Sequence, residues 1–167
     1  ILNSDGVTTR ESRFARVAFA VEGGPMGPVV SAAQRGAIYI QDEASQLVAQ
    51  VLNVKPGERV LDLCAAPGGK STLMADRADD NAMIVAADRS ASRMETVIGT
   101  TRLHQLKSIN PVLLDAAEQL PFRSCVSDKV LVDPPCSGTG TLRRNPEIRW
   151  RLTAADIGAF AAVQKQI

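Results

Sequence analysis

The sequence is poor in metal ligands. It holds one histidine, His104, and three cysteines, Cys64, Cys125 and Cys136, and no two of them form a CxxC pair. A zinc site built from imidazole and thiolate lacks the material here, so no metal is expected. The chain shows no secretory signal and no long apolar run, which argues against a membrane partner; together with free thiols this points to the reducing cytoplasm. An excess of either charge is also missing. Nineteen Lys and Arg face eighteen Asp and Glu, so net charge names no partner. Internal repeats and low-complexity tracts are absent too. What remains is an ordinary globular composition, 45% hydrophobic over 167 residues, enough for one domain with a substantial core and too short for two. The chain opens on Ile1 and closes on "FAAVQKQI" within a helical pattern. A piece of a longer protein is the expectation.

Residues 1–35 have weak periodicity: "RVAFAV" alternates like a short strand and "EGGPMGPVV" is turn-rich, so the segment reads as a cap or a linker from a preceding domain. From Gly36 the pattern sharpens. In "QDEASQLVAQVL" Ala44, Leu47, Val48, Val51 and Leu52 fall on one helical face, and "NVKPGE" ends that helix. Four apolar runs follow, "RVLDL", "AMIVAAD", "PVLLD" and "KVLVD", each ending at or next to an acid. Near-continuous apolar strands with room for crossover helices indicate an α/β protein whose parallel, doubly wound sheet is buried on both faces. Ligands of such sheets bind at the carboxyl ends of the strands, where Asp62, Asp88, Asp115 and Asp133 stand.

The stretch "DLCAAPGGKST" after the first of these runs ends in Gly-Lys-Ser, half of a phosphate-binding loop. A complete loop needs G-x-x-x-x-G-K-[ST], and Cys64 occupies the place of its first glycine. The dehydrogenase pattern G-x-G-x-x-G is missing as well. What survives is strand, glycine turn and helix start, with Asp88 at the end of the next strand, an acid able to bind both hydroxyls of a ribose. For any single Asp, capping a helix is the plainer role. Four at equivalent strand ends favour a nucleoside-bearing cofactor.

"LVDPPCSGTG" is the most informative run. Its two prolines remove two backbone donors and hold Cys136 in place, with Arg143 and Arg144 nearby. Function is favoured for Cys136, whereas Cys125 has no such context and reads as a buried structural thiol.

"CAAPGGK" after a strand, "DPPCSGTGTLRRNPEIRW" and "GAIYIQDEASQLVAQVL" together resemble the Sun-type (Fmu) RNA cytosine-5 methyltransferases, most closely the bacterial 16S ribosomal RNA enzymes. The resemblance covers residues 36–167. It implies a Rossmann-like S-adenosylmethionine-dependent methyltransferase fold, truncated at its C-terminus, with residues 36–167 as an incomplete catalytic domain. It also implies that Cys64, Ala65, Ala66, Pro67, Gly68, Gly69 and Lys70 surround the cofactor, that Asp88 binds its ribose and that Asp115 lies near its adenine. Asp133 lies near both the transferred methyl and the target base.

Carbon 5 of cytosine is a poor nucleophile, so in this family an enzyme thiolate adds to carbon 6 and activates it. The family's nucleophile is a Thr-Cys cysteine on a later strand, while the Pro-Cys cysteine, here Cys136, assists product release. No Thr-Cys occurs in these 167 residues. Negligible methyl transfer by this stretch alone is therefore expected.

"TLRRNPEIRWRL" carries Arg143, Arg144 and Arg149, candidate contacts to RNA phosphates, with Trp150 either a stacking surface or a core residue. An unpaired or flipped base is the expected target. "TAADIGAFAAVQKQI" starts with a cap at Thr153 and Asp156 and is expected to pack on the sheet. His104 reads as a solvated helix end. The resemblance implies a monomer acting on ribosomal RNA. Two other readings stay open: methylation of an exocyclic amino group, disfavoured by Cys136 where an aromatic is usual, and a non-catalytic RNA-binding module that retains the fold.

Overall fold

Residues 2–15 and 18–167 are described by a computed structural model. At its centre, β3 (Arg59–Asp62) pairs in parallel with β4 (Met83–Asp88) on one side and with β6 (Lys129–Leu131) on the other. Beyond β4 lies β5 (Ile109–Leu113), so the four-stranded sheet runs β5-β4-β3-β6. The chain thus builds outward from β3, then crosses back to add β6 on its far side. That reversal opens a crevice at the carboxyl ends of β3 and β6, the usual ligand position of a Rossmann-like sheet.

Alternation along the strands decides what each face meets. Val60, Ile84 and Ala86 point to one side, where they bury against α2 (Glu43–Leu52), α3 (Gly69–Arg77) and α4 (Ala91–Leu103) through Ala49, Met74, Ala75, Met94 and Val97. Leu61 and Leu63 point to the other, a thinner layer made with Ala116, Leu120, Phe122 and Ile167. The expectation of deep burial on both faces therefore holds for one. Val130, Val132 and Leu113 remain exposed, because residues 114–128 cross between β5 and β6 without a helix.

Helix α6 (Ala154–Gln166) starts with the expected reciprocal cap between Thr153 and Asp156. It buries none of its own residues, and it reaches the sheet layer through Ile167 beyond its end. The expected packing on the sheet is limited to that point. Between a single 3-10 turn at Thr139–Thr141 and α6 lies the short α5 (Ile148–Arg151).

The N-terminal residues form a hairpin, β1 (Thr8–Glu11) against β2 (Phe19–Gly23), followed by α1 (Met26–Gln34). The alternation of "RVAFAV" is realised in β2, with Arg16 and Val17 outside the described residues. The run "EGGPMGPVV", which reads as turn, instead enters a helix after Pro25. Pro28 falls in the first turn, where a missing N–H costs no helical bond. Capping explains the boundaries of α2: Asp42 accepts from the Ala44 N–H at 2.8 Å to open it, and Asn53 at φ 52° closes it.

Met74, fully buried between α3 and the sheet, is the packing test. Met74→Ala should destabilise the domain by about 2–5 kcal/mol in urea unfolding, whereas Val51→Ala, at a side chain 83% exposed, should stay within about 0.5 kcal/mol of wild type.

Candidate functional site

The turn after β3 is bonded to both neighbouring strands. The Leu63 N–H donates to Leu131 O at 3.0 Å and the Ala65 N–H to Ala87 O at 2.8 Å. Gly68 then takes φ 105°, a conformation that side chains resist, and opens α3. At Gly69 space is the constraint: a Cβ there would lie 2.7 Å from Tyr39 Cε1 and 3.0 Å from the Gln41 amide nitrogen. The glycine pair thus lets the 36–41 segment close over the start of α3.

The Gly-Lys-Ser that imitates a phosphate loop has other partners. Ser71 Oγ donates to Asp62 Oδ2 at 2.7 Å inside the core. Lys70 Nζ pairs with Asp133 Oδ2 at 2.6 Å, joining the loop after β3 to the Asp-Pro-Pro-Cys loop after β6. Sequence reasoning placed Lys70 in the cofactor loop and gave Ser71 no role; only the folded turn brings both side chains to their acids.

A cleft of about 240 Å³ lies at the carboxyl ends of the strands, lined among others by Cys64, Ala66, Asp88, Asp115, Asp133 and Cys136. Asp88 is buried at its floor. Its Oδ1 accepts from the Ser90 N–H at 3.0 Å, and its Oδ2 accepts from the Ala66 N–H at 3.3 Å and stands 3.3 Å from Arg93 Nη2. Asp115, more exposed, accepts from the Ala117 N–H at 3.0 Å and lies 3.9 Å from Arg89. Thus Asp88 and Asp115 close local turns, Asp133 holds an ion pair and Asp62 is internal; none of the four is a helix cap. Asp62 lines no part of the cleft.

The two cleft cysteines differ. Burial, followed by the carboxylates of Asp88, Asp62 and Asp133, pushes the Cys64 thiol up, which keeps it protonated and unreactive. Cys136 is exposed beside Pro135, whose carbonyl accepts from Gln164 Nε2 of α6 at 2.7 Å. Cys125 corrects the expectation of a buried thiol: it is exposed, at φ 57°, on the surface crossing between β5 and β6.

Of the three candidate RNA arginines, Arg144 pairs with Asp42, the cap of α2, while Arg143 and Arg149 are exposed and without ion pairs among the described residues. Trp150 is 79% exposed, so it is no core residue of the described chain. His104 ends α4 with its ring centroid 5.7 Å from that of Tyr39, away from the cleft. Sequence reasoning missed Arg89 and Arg93, which line the cleft; nothing in their spacing distinguished them from solvated helix arginines.

Burial pushes the Asp62 carboxyl up to about 6 from its ordinary 3.8, against the Ser71 bond and Lys70, which pull it down. A raised folded-state value means that the native state holds the proton more tightly. The stability from this group is complete below about pH 4 and is lost as pH rises through about 6. Asp62→Asn, which keeps an acceptor for Ser71, should gain on wild type by about 3 kcal/mol in urea unfolding between about pH 4 and pH 8. A pH-independent difference would contradict a buried, titrating Asp62.

The fold and these loops have close counterparts. A family model described as "16S rRNA methyltransferase RsmB/F" matches residues 49–167. A probable ribosomal RNA small subunit methyltransferase B from Synechocystis is 40% identical over 131 residues, 77% of this chain and 29% of that protein. The solved structure of the protein PH0851 superposes with a TM-score of 0.91 at 36% identity, covering 99% of this chain and 38% of that one. NSun6 from Pyrococcus horikoshii, solved with SFG, gives a TM-score of 0.75 at 29% identity over 89% of this chain and 39% of its own. The chain spans about three-tenths of the length of the curated relatives it matches. With the model matching well over half of the sequence, the chain belongs to the RsmB/F family of 16S rRNA methyltransferases.

Proposed function

We propose that the cleft binds S-adenosylmethionine and that the protein methylates carbon 5 of a cytosine in RNA, 16S ribosomal RNA above all. The observation that carries the cofactor reading is Asp88: a buried carboxylate at a strand end, with acceptor capacity left, facing a cleft sized for a nucleoside. The residues present suit such a group. Asp88 meets ribose hydroxyls, Asp115 stands beside the adenine, and the turn from Cys64 to Lys70 lets the backbone approach the methionine end. SFG, an analogue of this cofactor, is what the NSun6 structure was solved with.

When bound, the cofactor supplies an electrophilic methyl group. The chain's own residues then orient the acceptor. Asp133, held by Lys70, sits between the cofactor turn and the Cys136 loop, positioned to hydrogen-bond the target base. Cys136, exposed on the cleft rim, serves release of the methylated base, and a Thr-Cys thiolate adding at carbon 6 is the nucleophile that this reading requires. Residues 1–167 contain no Thr-Cys, so cofactor binding is the activity assigned to this stretch by itself. Arg143 and Arg149 supply phosphate contacts, and residues 36–167 make up the methyltransferase unit with 1–35 as its cap.

Calorimetric titration with S-adenosylmethionine should show saturable, one-to-one binding. Asp88→Ala should weaken it about 10- to 100-fold, the value of about 1.5–3 kcal/mol for hydrogen bonds to a charged group. Absence of binding by the folded wild-type chain would overturn the cofactor assignment.

A further inference from the structure

We infer that Gln164 of α6 is a positioning residue for Cys136, and that occupation of the cleft by the nucleoside cofactor is relayed to that thiol through α6. This rests on the cofactor reading above and adds a residue of the last helix, outside the turn after β3 and the strand-end acids.

The loop that carries Cys136 has little of its own to hold it. Pro134 and Pro135 have no N–H, and residues 133–137 make no backbone–backbone hydrogen bond among the described residues. Each proline fixes its own φ, so the orientation of the planar peptide unit between Pro135 and Cys136 is the main freedom left before the thiol. Two side chains from elsewhere in the fold hold this segment. Lys70 Nζ pairs with Asp133 at 2.6 Å, and Gln164 Nε2 donates to Pro135 O at 2.7 Å. The second falls on that peptide unit itself. A donor near the plane of a carbonyl sets the plane, and with it the direction in which the Cys136 side chain leaves the backbone. Glutamine suits the place because its amide carries N–H donors; an ionised glutamate of the same length offers only acceptors, and a leucine offers neither.

Helix α6, which brings the amide there, is lightly seated. None of its residues is buried, and among the described residues the Gln164 bond is the one hydrogen bond from α6 to the chain before its cap. Its half-buried Phe160 and Val163 share a face with Ile167 just past its end, at spacings of three and four. Val163 and Ile167 line the cleft, and Ile167 also packs on the layer of Leu61, Leu63 and Ala116. The helix is therefore one wall of the cleft, and an element with so few buried contacts opens locally more readily than the core. A molecule that fills the cleft gives Val163 and Ile167 a second surface to pack on. That steadies α6, and the Gln164 bond, one residue from Val163, is held closed with it. The coupling is reciprocal: the bond at Pro135 strengthens ligand binding by the factor with which the ligand strengthens the bond.

The test reads the rate at which iodoacetamide alkylates Cys136, by peptide mass spectrometry, with the exposed and remote Cys125 as reference in the same sample. Wild type, Gln164→Leu, Gln164→Glu and the neighbouring control Lys165→Ala are compared with and without saturating S-adenosylhomocysteine, each shown to be folded by its thermal melt and to bind by calorimetry. In wild type and Lys165→Ala the ligand should slow Cys136 by at least about fivefold, the low end of ordinary coupling between sites, and should slow amide exchange along α6. In both Gln164 variants the slowing along α6 should persist while that at Cys136 falls below about twofold, with Cys125 indifferent throughout. If the ligand slows Cys136 as much in the two Gln164 variants as in wild type, it shields the thiol directly and the inference fails. Bound ligand that leaves Cys136 or α6 unchanged in wild type sinks it as well. A folded wild type that binds no S-adenosylhomocysteine would overturn the cofactor reading itself, and this inference with it.

Discussion

The turn that leaves β3 is under a double constraint: its amides bond to β6 through Leu63 and to β4 through Ala65 before the chain can enter α3. Pinned on both sides, the turn has a few residues in which to reverse direction. Gly68 absorbs the reversal at a positive φ, and Gly69 allows the 36–41 segment to lie across the helix start. Three side chains of the site are tied to this turn. Arg93 reaches it through the Ala66 carbonyl, Lys70 extends from its end to Asp133, and Asp88 accepts from its Ala66 amide.

The acids at the strand ends share a position and differ in their electrostatics. Asp62 is buried with a hydroxyl for company, so desolvation raises its proton affinity and its role is internal. Asp133 has a lysine at 2.6 Å, which cancels its charge locally and couples two loops. Asp88 is buried but surrounded by donors, which lets it remain a preorganised acceptor in the cleft. The same residue type thus becomes a structural acid, half of a clamp and a buried acceptor facing the cleft according to what the fold places next to it. Protein partners outside these loops add less. The exposed pair of Arg10 and Glu22 on the N-terminal hairpin is of the kind that contributes little to stability.

Periodicity and strand-end acids made the parallel sheet legible, because apolar runs of strand length are a local property of the chain. The reciprocal cap of α6 was legible for the same reason: Thr153 and Asp156 lie within one turn. The start of α1 was not. Glycines and prolines in "EGGPMGPVV" signal a turn, and a proline in a first helical turn looks the same in sequence as a proline that ends a strand. Cys125 misled in another way, and Trp150 stayed open between surface and core, since their burial depends on which surfaces come to cover them and not on their neighbours in the chain.

The sequence by itself determined the strand order's ingredients, the glycine turn, the Asp-Pro-Pro-Cys loop and the family to which they belong, all of them patterns set by residues close in the chain. Tertiary structure alone decided that Lys70 meets Asp133, that Ser71 turns inward to Asp62 and that Arg93 bridges Asp88 and Ala66. Ser71 and Arg93 depend on how the turn after β3 packs against the sheet and α4, and the Lys70–Asp133 pair depends on the crossover from β5 back to β6. It brings side chains far apart in the chain within hydrogen-bonding distance, and no local pattern records which of them will face each other when it closes.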